Sequence, residues 1–259
     1  MEAEELKAPS FTNQERLRIE CTRYQEMGGL PGLYQIEGEL ERKREMKARV
    51  DLTLFRDLLE VFEIRQPGRL SALFSFLVSN ASQVVNYSTI TNALTLKYET
   101  LKNYLDYLEL SHLIFQVDQY TPNPLKTISR NPKIYLADHA FFQLWDCDEG
   151  LMVENLCFVH LQQLAKQHWT TTLNYWVGKG REEVDMVIPT DKGPLPVEIK
   201  FRQTITKSQL KGLRNFSKEF DTQRALLITL KDEGPLELET GAGTLCVLKL
   251  PLWKFLLLD

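Results

Sequence analysis

No uninterrupted apolar run of membrane-spanning length occurs in the 259 residues, although 43% of them are hydrophobic. A bilayer-crossing helix needs about 20 consecutive apolar residues, so no membrane association is expected, and the composition fits a globular chain. Cysteine is scarce. Cys21, Cys147, Cys157 and Cys246 show no C-x-x-C spacing, which argues against a disulfide frame or a zinc site and for reduced core thiols. His112, His139, His160 and His168 share no metal-ligand spacing either. The start, Met1-Glu2-Ala3-Glu4-Glu5, lacks the basic and apolar regions of a signal peptide, so a cytoplasmic location is expected. Excess charge is small. The formal net charge of -4 arises within residues 1–63, where 14 acids oppose 10 bases, and the remainder holds 21 of each. A neutral remainder with a local basic face permits nucleic-acid binding without demanding strong nonspecific affinity.

What the chain does have is a pair of alternating segments. Glu182-Glu183-Val184-Asp185-Met186-Val187-Ile188 and Pro196-Val197-Glu198-Ile199-Lys200 alternate polar and apolar residues, with the turn formers Thr190-Asp191-Lys192-Gly193-Pro194 between them. The stretch reads as an antiparallel β-hairpin. Closure around Asp191-Lys192 sets Asp185 opposite Glu198, and Lys200 follows two residues later on the same face. Glu183 shares that face as a weaker candidate, while Val184, Met186, Val197 and Ile199 form the other. Two carboxylates offer the oxygen ligands that Mg²⁺ or Mn²⁺ takes, and a lysine beside them polarises a phosphate or a water. The alternative is a hairpin carrying an exposed cross-strand ion pair.

The D-x(12)-E-x-K spacing of Asp185, Glu198 and Lys200 resembles the active-site core of the PD-(D/E)XK nuclease superfamily, with Val184 where a proline often precedes the first aspartate. Residues 151–161 read as an amphipathic helix leading into a strand at Asn174-Tyr175-Trp176-Val177. The resemblance implies a further carboxylate from a helix before the hairpin, and Glu154 occupies that place. Glu154 is also the lone acid of an apolar run, a costly position for an ionised group unless it is paired or metal-bound. A helix-edge charge near Gly150 is the plainer reading.

Downstream, the chain from Ile199 to Lys218 carries Lys200, Arg202, Lys207, Lys211, Arg214 and Lys218 with no acid. Lys207, Lys211, Arg214 and Lys218 fall on one helical stripe, and Leu210, Leu213, Phe216 and Phe220 on another. A basic stripe beside a carboxylate cluster suits DNA; a solvated lysine face is the alternative.

In the middle of the chain, residues 69–79 place Leu70, Leu73, Phe74, Leu77 and Val78 on one helix face. Ser88 is the expected cap of a short helix through Leu94, a turn at Thr95-Leu96 follows, and a third helix runs from about 97 to 109 with Leu101, Tyr104, Leu105 and Leu108 buried. A strand at 113–117 and a turn at Thr121-Pro122-Asn123-Pro124 complete a winged-helix pattern. Its third helix would expose Tyr98, Glu99, Lys102, Asn103 and Asp106. That mixed face suits protein packing as well as DNA readout, for which Lys102 and Asn103 are the candidates.

The order of parts then becomes recognisable. Met27-Gly28-Gly29-Leu30-Pro31, the winged-helix pattern, Asn131-Pro132-Lys133-Ile134-Tyr135-Leu136-Ala137-Asp138, Glu154, the hairpin motifs and Trp253-Lys254-Phe255-Leu256-Leu257 together resemble the C-terminal region of bacterial and archaeal AAA-type ATPases, from about residue 15 onward. The resemblance implies an α/β protein with a winged helix followed by a PD-(D/E)XK restriction-endonuclease-like domain. The expected division is a helical N-terminal segment at 1–65, a winged-helix domain at 66–126 and a nuclease-like domain at 127–259. No G-x-x-x-x-G-K-[ST] phosphate loop is present, so no ATP binding is expected, and Gly28-Gly29-Leu30-Pro31-Gly32 reads as a turn. The expected function is Mg²⁺- or Mn²⁺-dependent phosphodiester hydrolysis on DNA. Asp185 and Glu198 would hold the metal, Lys200 would stabilise developing charge, and Glu154 would complete the site. The alternative is a noncatalytic module that binds DNA, a separate AAA-type ATPase or a second copy of itself.

Overall fold

A computed structural model describes residues 11–122, 131–145, 147–169, 172–241 and 243–258 as a mixed α/β chain with two sheets. Helix α1 (Phe11–Met27) ends at Gly28, whose φ of 81° and close approach to Ala140 both exclude a side chain. The Gly29 N–H then donates to both carboxylate oxygens of Asp138, at 3.1 and 3.0 Å, so the expected glycine turn is pinned to a distant loop. A 3₁₀ turn at Pro31–Gln35 leads to α2 (Glu39–Leu52), which passes through a π turn at Thr53–Asp57 into α3 (Leu58–Val61).

Helix α4 (Pro67–Ser79) begins on a proline, which needs no N–H at that position, and buries the five apolar residues expected of it. A short strand, β1 (Gln83–Val84), precedes α5 (Tyr87–Leu94). The cap of α5 is Asn86, not Ser88: its side-chain oxygen accepts from Ser88 N at 2.9 Å and Thr89 N at 3.3 Å, because the helix starts one residue before Ser88. Thr95 ends α5 in the left-handed region, and α6 (Tyr98–Leu110) buries Leu101, Tyr104, Leu105 and Leu108. Strands β2 (Ile114–Val117) and β3 (Lys133–Leu136) follow, and the small antiparallel sheet has the order β1-β3-β2. Of the turn expected at 121–124, Asn123 and Pro124 lie outside the described residues, as does the expected division at 126/127.

That division does not coincide with a break in packing. β3 lies C-terminal to it yet is the central strand of the first sheet. Its side chains alternate between two cores, as a strand's must. Ile134 and Leu136 join the helical core of Leu70, Phe74 and Leu105, whereas Tyr135 joins a second core built on α7 (Glu149–Leu164).

The six-stranded sheet has the order β4-β5-β6-β7-β9-β8, with β4 at Asn174–Val177, β5 at Glu183–Ile188, β6 at Leu195–Lys200, β7 at Arg224–Thr229, β8 at Gly234–Glu239 and β9 at Thr244–Pro251. The β5/β6 hairpin pairs Met186 with Val197, Val187 with Pro196 and Ile188 with Leu195, and Gly193 N closes its turn onto Thr190 O at 3.0 Å. This is the register read from the sequence. β6, β7 and β9 run parallel, an extension that periodicity alone did not reveal.

One face of the sheet packs on α7 through Met186, Ile188, Val197, Ile199 and Ile228. The other packs on α8 (Lys211–Phe220) through Val184, Val187, Leu213, Phe216 and Leu227. Val184 is therefore not on the Met186 face as expected. The ladder with β4 explains the difference, since β4 advances two residues from Asn174 to Trp176 while β5 spends three from Val187 to Val184. This β-bulge at Asp185-Met186 reverses the alternation and re-aims Asp185. The last helix, α9 (Leu252–Phe255), packs against β7 and β9. Among the described residues, no helix is long and apolar enough to cross a membrane.

Candidate carboxylate and lysine site

Four elements deliver charged groups to one place. α7 is capped by Asp148, whose side chain accepts from Gly150 N at 2.8 Å, and its first turns present Glu154 toward β3. β3 contributes Lys133 and Tyr135, β5 contributes Glu183 and Asp185, and β6 contributes Glu198 and Lys200. Lys133, only 1% exposed, pairs with Glu154 Oε1 at 2.7 Å and also with Glu183. The Tyr135 hydroxyl donates to Glu154 Oε1 at 2.8 Å, with the Asp185 carbonyl oxygen 3.2 Å away as the other acceptor. Its ring stacks on Phe158 of α7, centroids 4.0 Å apart.

Asp185 is fixed by the backbone of the neighbouring strand, its Oδ2 accepting from Ile199 N at 2.7 Å. Lys200 pairs with Glu198 Oε1. Glu198 Oε2, on a residue 3% exposed, has no hydrogen-bond partner among the described residues. A buried carboxylate oxygen without a partner is expensive, and it marks a position for a cation or a proton.

The ionisation of the cluster follows from its crowding. Burial, then Asp185, push the Glu198 carboxyl well above the usual carboxylate range against the pull of Lys200. Burial raises Glu154 to about 7, with Asp185 adding to it and Lys133 opposing. Burial works against the charges of Lys133 and Lys200, yet the surrounding acids hold both ammoniums above their ordinary range. Four carboxylates against two ammoniums leave two negative charges when all are ionised, the charge of one divalent cation.

All four residues expected at the site, Glu154, Asp185, Glu198 and Lys200, thus fall in one electrostatic cluster. Lys133 and Tyr135 were missed as site residues. The available signal was a lysine inside the apolar strand Lys133-Ile134-Tyr135-Leu136, since a lysine is almost never fully buried unless paired. As the side chains stand, no group of three or more His, Cys, Asp or Glu among the described residues is placed to hold a metal. Asp185 and Glu198 are carboxylates of the kind that Mg²⁺ takes one or two of while keeping its waters, and Glu198 Oε2 is left without a partner.

The basic stripe is less regular than expected. Lys207 lies in a 3₁₀ turn (Lys207–Leu210) before α8, capped by Thr206, so its offset from Lys211 is not that of an α-helix. Lys207, Lys211 and Lys218 are exposed, while Arg214 is half-buried and donates to the Lys207 carbonyl at 3.2 Å. Lys102 and Asn103 are exposed on α6 in the other half of the chain.

Residues 19–144 match the family described as a domain of unknown function, DUF8612, and residues 149–253 match a second domain of unknown function, DUF4143. The interval between the two matches falls just before α7. The chain is 26% identical to an uncharacterized protein of Methanocaldococcus jannaschii over 239 residues, 88% of this chain and 53% of that protein. It is 25% identical to an uncharacterized protein of Haemophilus influenzae over 166 residues, 60% of this chain and 41% of the relative. An uncharacterized protein of Mycobacterium tuberculosis is 23% identical over 210 residues, 78% and 47% of the two chains. No solved structure matches. The chain spans about half the length of the curated relatives it matches.

Proposed function

We propose that the C-terminal half is a PD-(D/E)XK-like module that hydrolyses DNA phosphodiesters with a divalent cation, and that the helical half is a winged-helix module that presents the DNA or docks a partner. The single observation that carries the reading is the buried, unpartnered Glu198 Oε2 beside Asp185 in a cluster of four carboxylates and two ammoniums. Asp185 and Glu198 would hold Mg²⁺ or Mn²⁺. When bound, the cation supplies a water of lowered pKa and neutralises phosphate charge. Lys200 would stabilise the negative charge that develops on phosphorus-bound oxygen. Glu154, with a carboxyl pushed up to about 7, is tuned to exchange a proton near neutrality, and Lys133 and Tyr135 hold it in place.

A second reading has its own support. The Lys200–Glu198 and Lys133–Glu154 pairs already satisfy much of the cluster, as in a noncatalytic scaffold. In that case the chain serves as a DNA-binding or docking module, with an AAA-type ATPase as the partner that its family resemblance implies.

The deciding experiment titrates Mg²⁺ and Mn²⁺ and follows cleavage of single-stranded, double-stranded and branched DNA. Under the catalytic reading, Asp185→Asn abolishes both cation binding and cleavage while keeping the fold, because the amide oxygen still accepts from Ile199 N. Wild-type protein that neither binds the cations nor cleaves any of the substrates leaves the scaffold reading.

A further inference from the structure

Immediately beyond Lys200 the chain lines a cavity of about 710 Å³ between α1 and the ends of the parallel strands β6 and β7. This is within the roughly 300–1,000 Å³ range of small-ligand sites, at the strand ends where open α/β sheets bind ligands. Arg18, Arg202 and Lys231 reach it from three separate elements, and none of them makes an ion pair with a described carboxylate. Phe201, Leu230 and Trp253 supply apolar surface beside these cations, and Glu149 is the one acid in the lining. The Arg18 guanidinium lies 5.4 Å from the centre of the Trp253 ring. The buried side-chain nitrogen of Gln25, another lining residue, has no hydrogen-bond partner among the described residues.

Three unpaired cations, an aromatic and aliphatic wall and an unused amide donor are the complement of a nucleotide: phosphate, base and base-edge acceptor. The cavity also adjoins the carboxylate cluster. Cys21 lines it, and the Cys157 thiol on α7 is held up by burial and then by Glu154, Asp185 and Cys21.

We propose that this cavity holds one nucleotide of a single nucleic-acid strand, its phosphate on Arg18, Arg202 and Lys231 and its base against Phe201, Leu230 and Trp253. Resting on the phosphodiester reading above, the assignment makes the preferred substrate a strand with an accessible end or a frayed segment, because a base stacked in a duplex has no free face to lay against the apolar side chains.

The test is binding without turnover. Fluorescence anisotropy of labelled oligothymidylate, with and without a 5′-phosphate, is measured in EDTA for the wild type, for Arg202→Glu/Lys231→Glu and for Asp185→Asn. Both charge-reversed side chains are exposed, so their thermal melting should match the wild type. The double variant should bind at least tenfold more weakly, with a log-log salt slope flatter by about 0.7, the one single-strand phosphate contact that the cavity makes. Asp185→Asn, with one negative charge fewer beside the strand, should bind in EDTA at least as tightly as the wild type. Equal affinity and slope for the double variant and the wild type overturn the nucleotide site even if cleavage is found. Loss of affinity without any cleavage supports the cavity and removes only the catalytic reading. Thymidine monophosphate serves as the second arm: if it binds as tightly as the oligonucleotide, the occupant is a free nucleotide and the strand assignment falls.

Discussion

The backbone N–H of Ile199 donates to Oδ2 of Asp185 at 2.7 Å, just beyond the point where the β5/β6 ladder pairs Met186 with Val197. A side chain thus replaces a ladder carbonyl as acceptor at the bulge. One carboxylate oxygen of Asp185 is committed to structure, which fixes the other relative to Glu198. That is the geometry a rigid ligand pair needs, since side chains held by their own hydrogen bonds lose little freedom when a ligand arrives.

Removing the Lys133 ammonium while keeping its volume isolates what it does. Lys133→Met leaves Glu154 buried without its partner, and such a broken pair costs about 3–5 kcal/mol. Urea unfolding at pH 8 should show that loss, and Lys133→Met/Glu154→Gln should recover most of it. A single variant as stable as the wild type at pH 8 would show that Glu154 is already protonated there.

The wild-type protein should itself lose stability with rising pH. Glu154 binds its proton more tightly in the folded chain, at about 7, than at its ordinary value of 4.5. Its contribution is complete below pH 4.5 and is lost as pH rises through 7, on the order of 3 kcal/mol at 1.36 kcal/mol per pH unit. Urea midpoints between pH 4 and 8 check this, because Glu154→Gln should flatten that segment of the curve.

Gly212 is where α8 comes closest to the sheet, and a Cβ there would collide with the Glu183 carbonyl oxygen. Backbone cannot swing aside as a side chain does. Gly212→Ala should therefore lower stability by about 1–3 kcal/mol, an overpacking cost. Gly68→Ala, with open space around its Cβ position on α4, is the control and should be neutral or stabilising in thermal unfolding.

The exposed lysines of α8 separate a DNA-tracking helix from a solvated one. Lys211→Glu/Lys218→Glu should weaken duplex binding strongly and flatten the log-log salt slope by about 1.8, two contacts at 0.9 each. Stability should stay within roughly 0.5 kcal/mol of the wild type. Unchanged affinity and slope would assign the stripe to solvation.

The hairpin was legible in the sequence because period-two alternation and an Asp-Lys-Gly-Pro turn admit one register, and Glu154 because an acid inside an apolar run is expensive anywhere. The bulge at Asp185-Met186 was not legible. A run such as Val184-Asp185-Met186-Val187-Ile188 satisfies two sheet faces whether or not it slips by one residue, and the slip is set by β4. Lys133 and Tyr135 were overlooked for a related reason, since the partners that make a buried lysine tolerable lie 21 and 50 residues away in sequence, on α7 and β5. The cap of α5 was misplaced by two residues because Asn86 and Ser88 are both capping residue types, and the backbone conformation chose between them.

β3 is four residues long, and its two sides belong to different halves of the molecule. Opening the helical half would draw Lys133 and Tyr135 out of the acid cluster, so amide protons on both sides should exchange as one cooperative unit. Linkage makes the relation reciprocal. Whatever clamps the helical half also sets how strongly Glu154 and its neighbours hold their protons, and a cation seated among those acids would in turn stiffen a surface far from it.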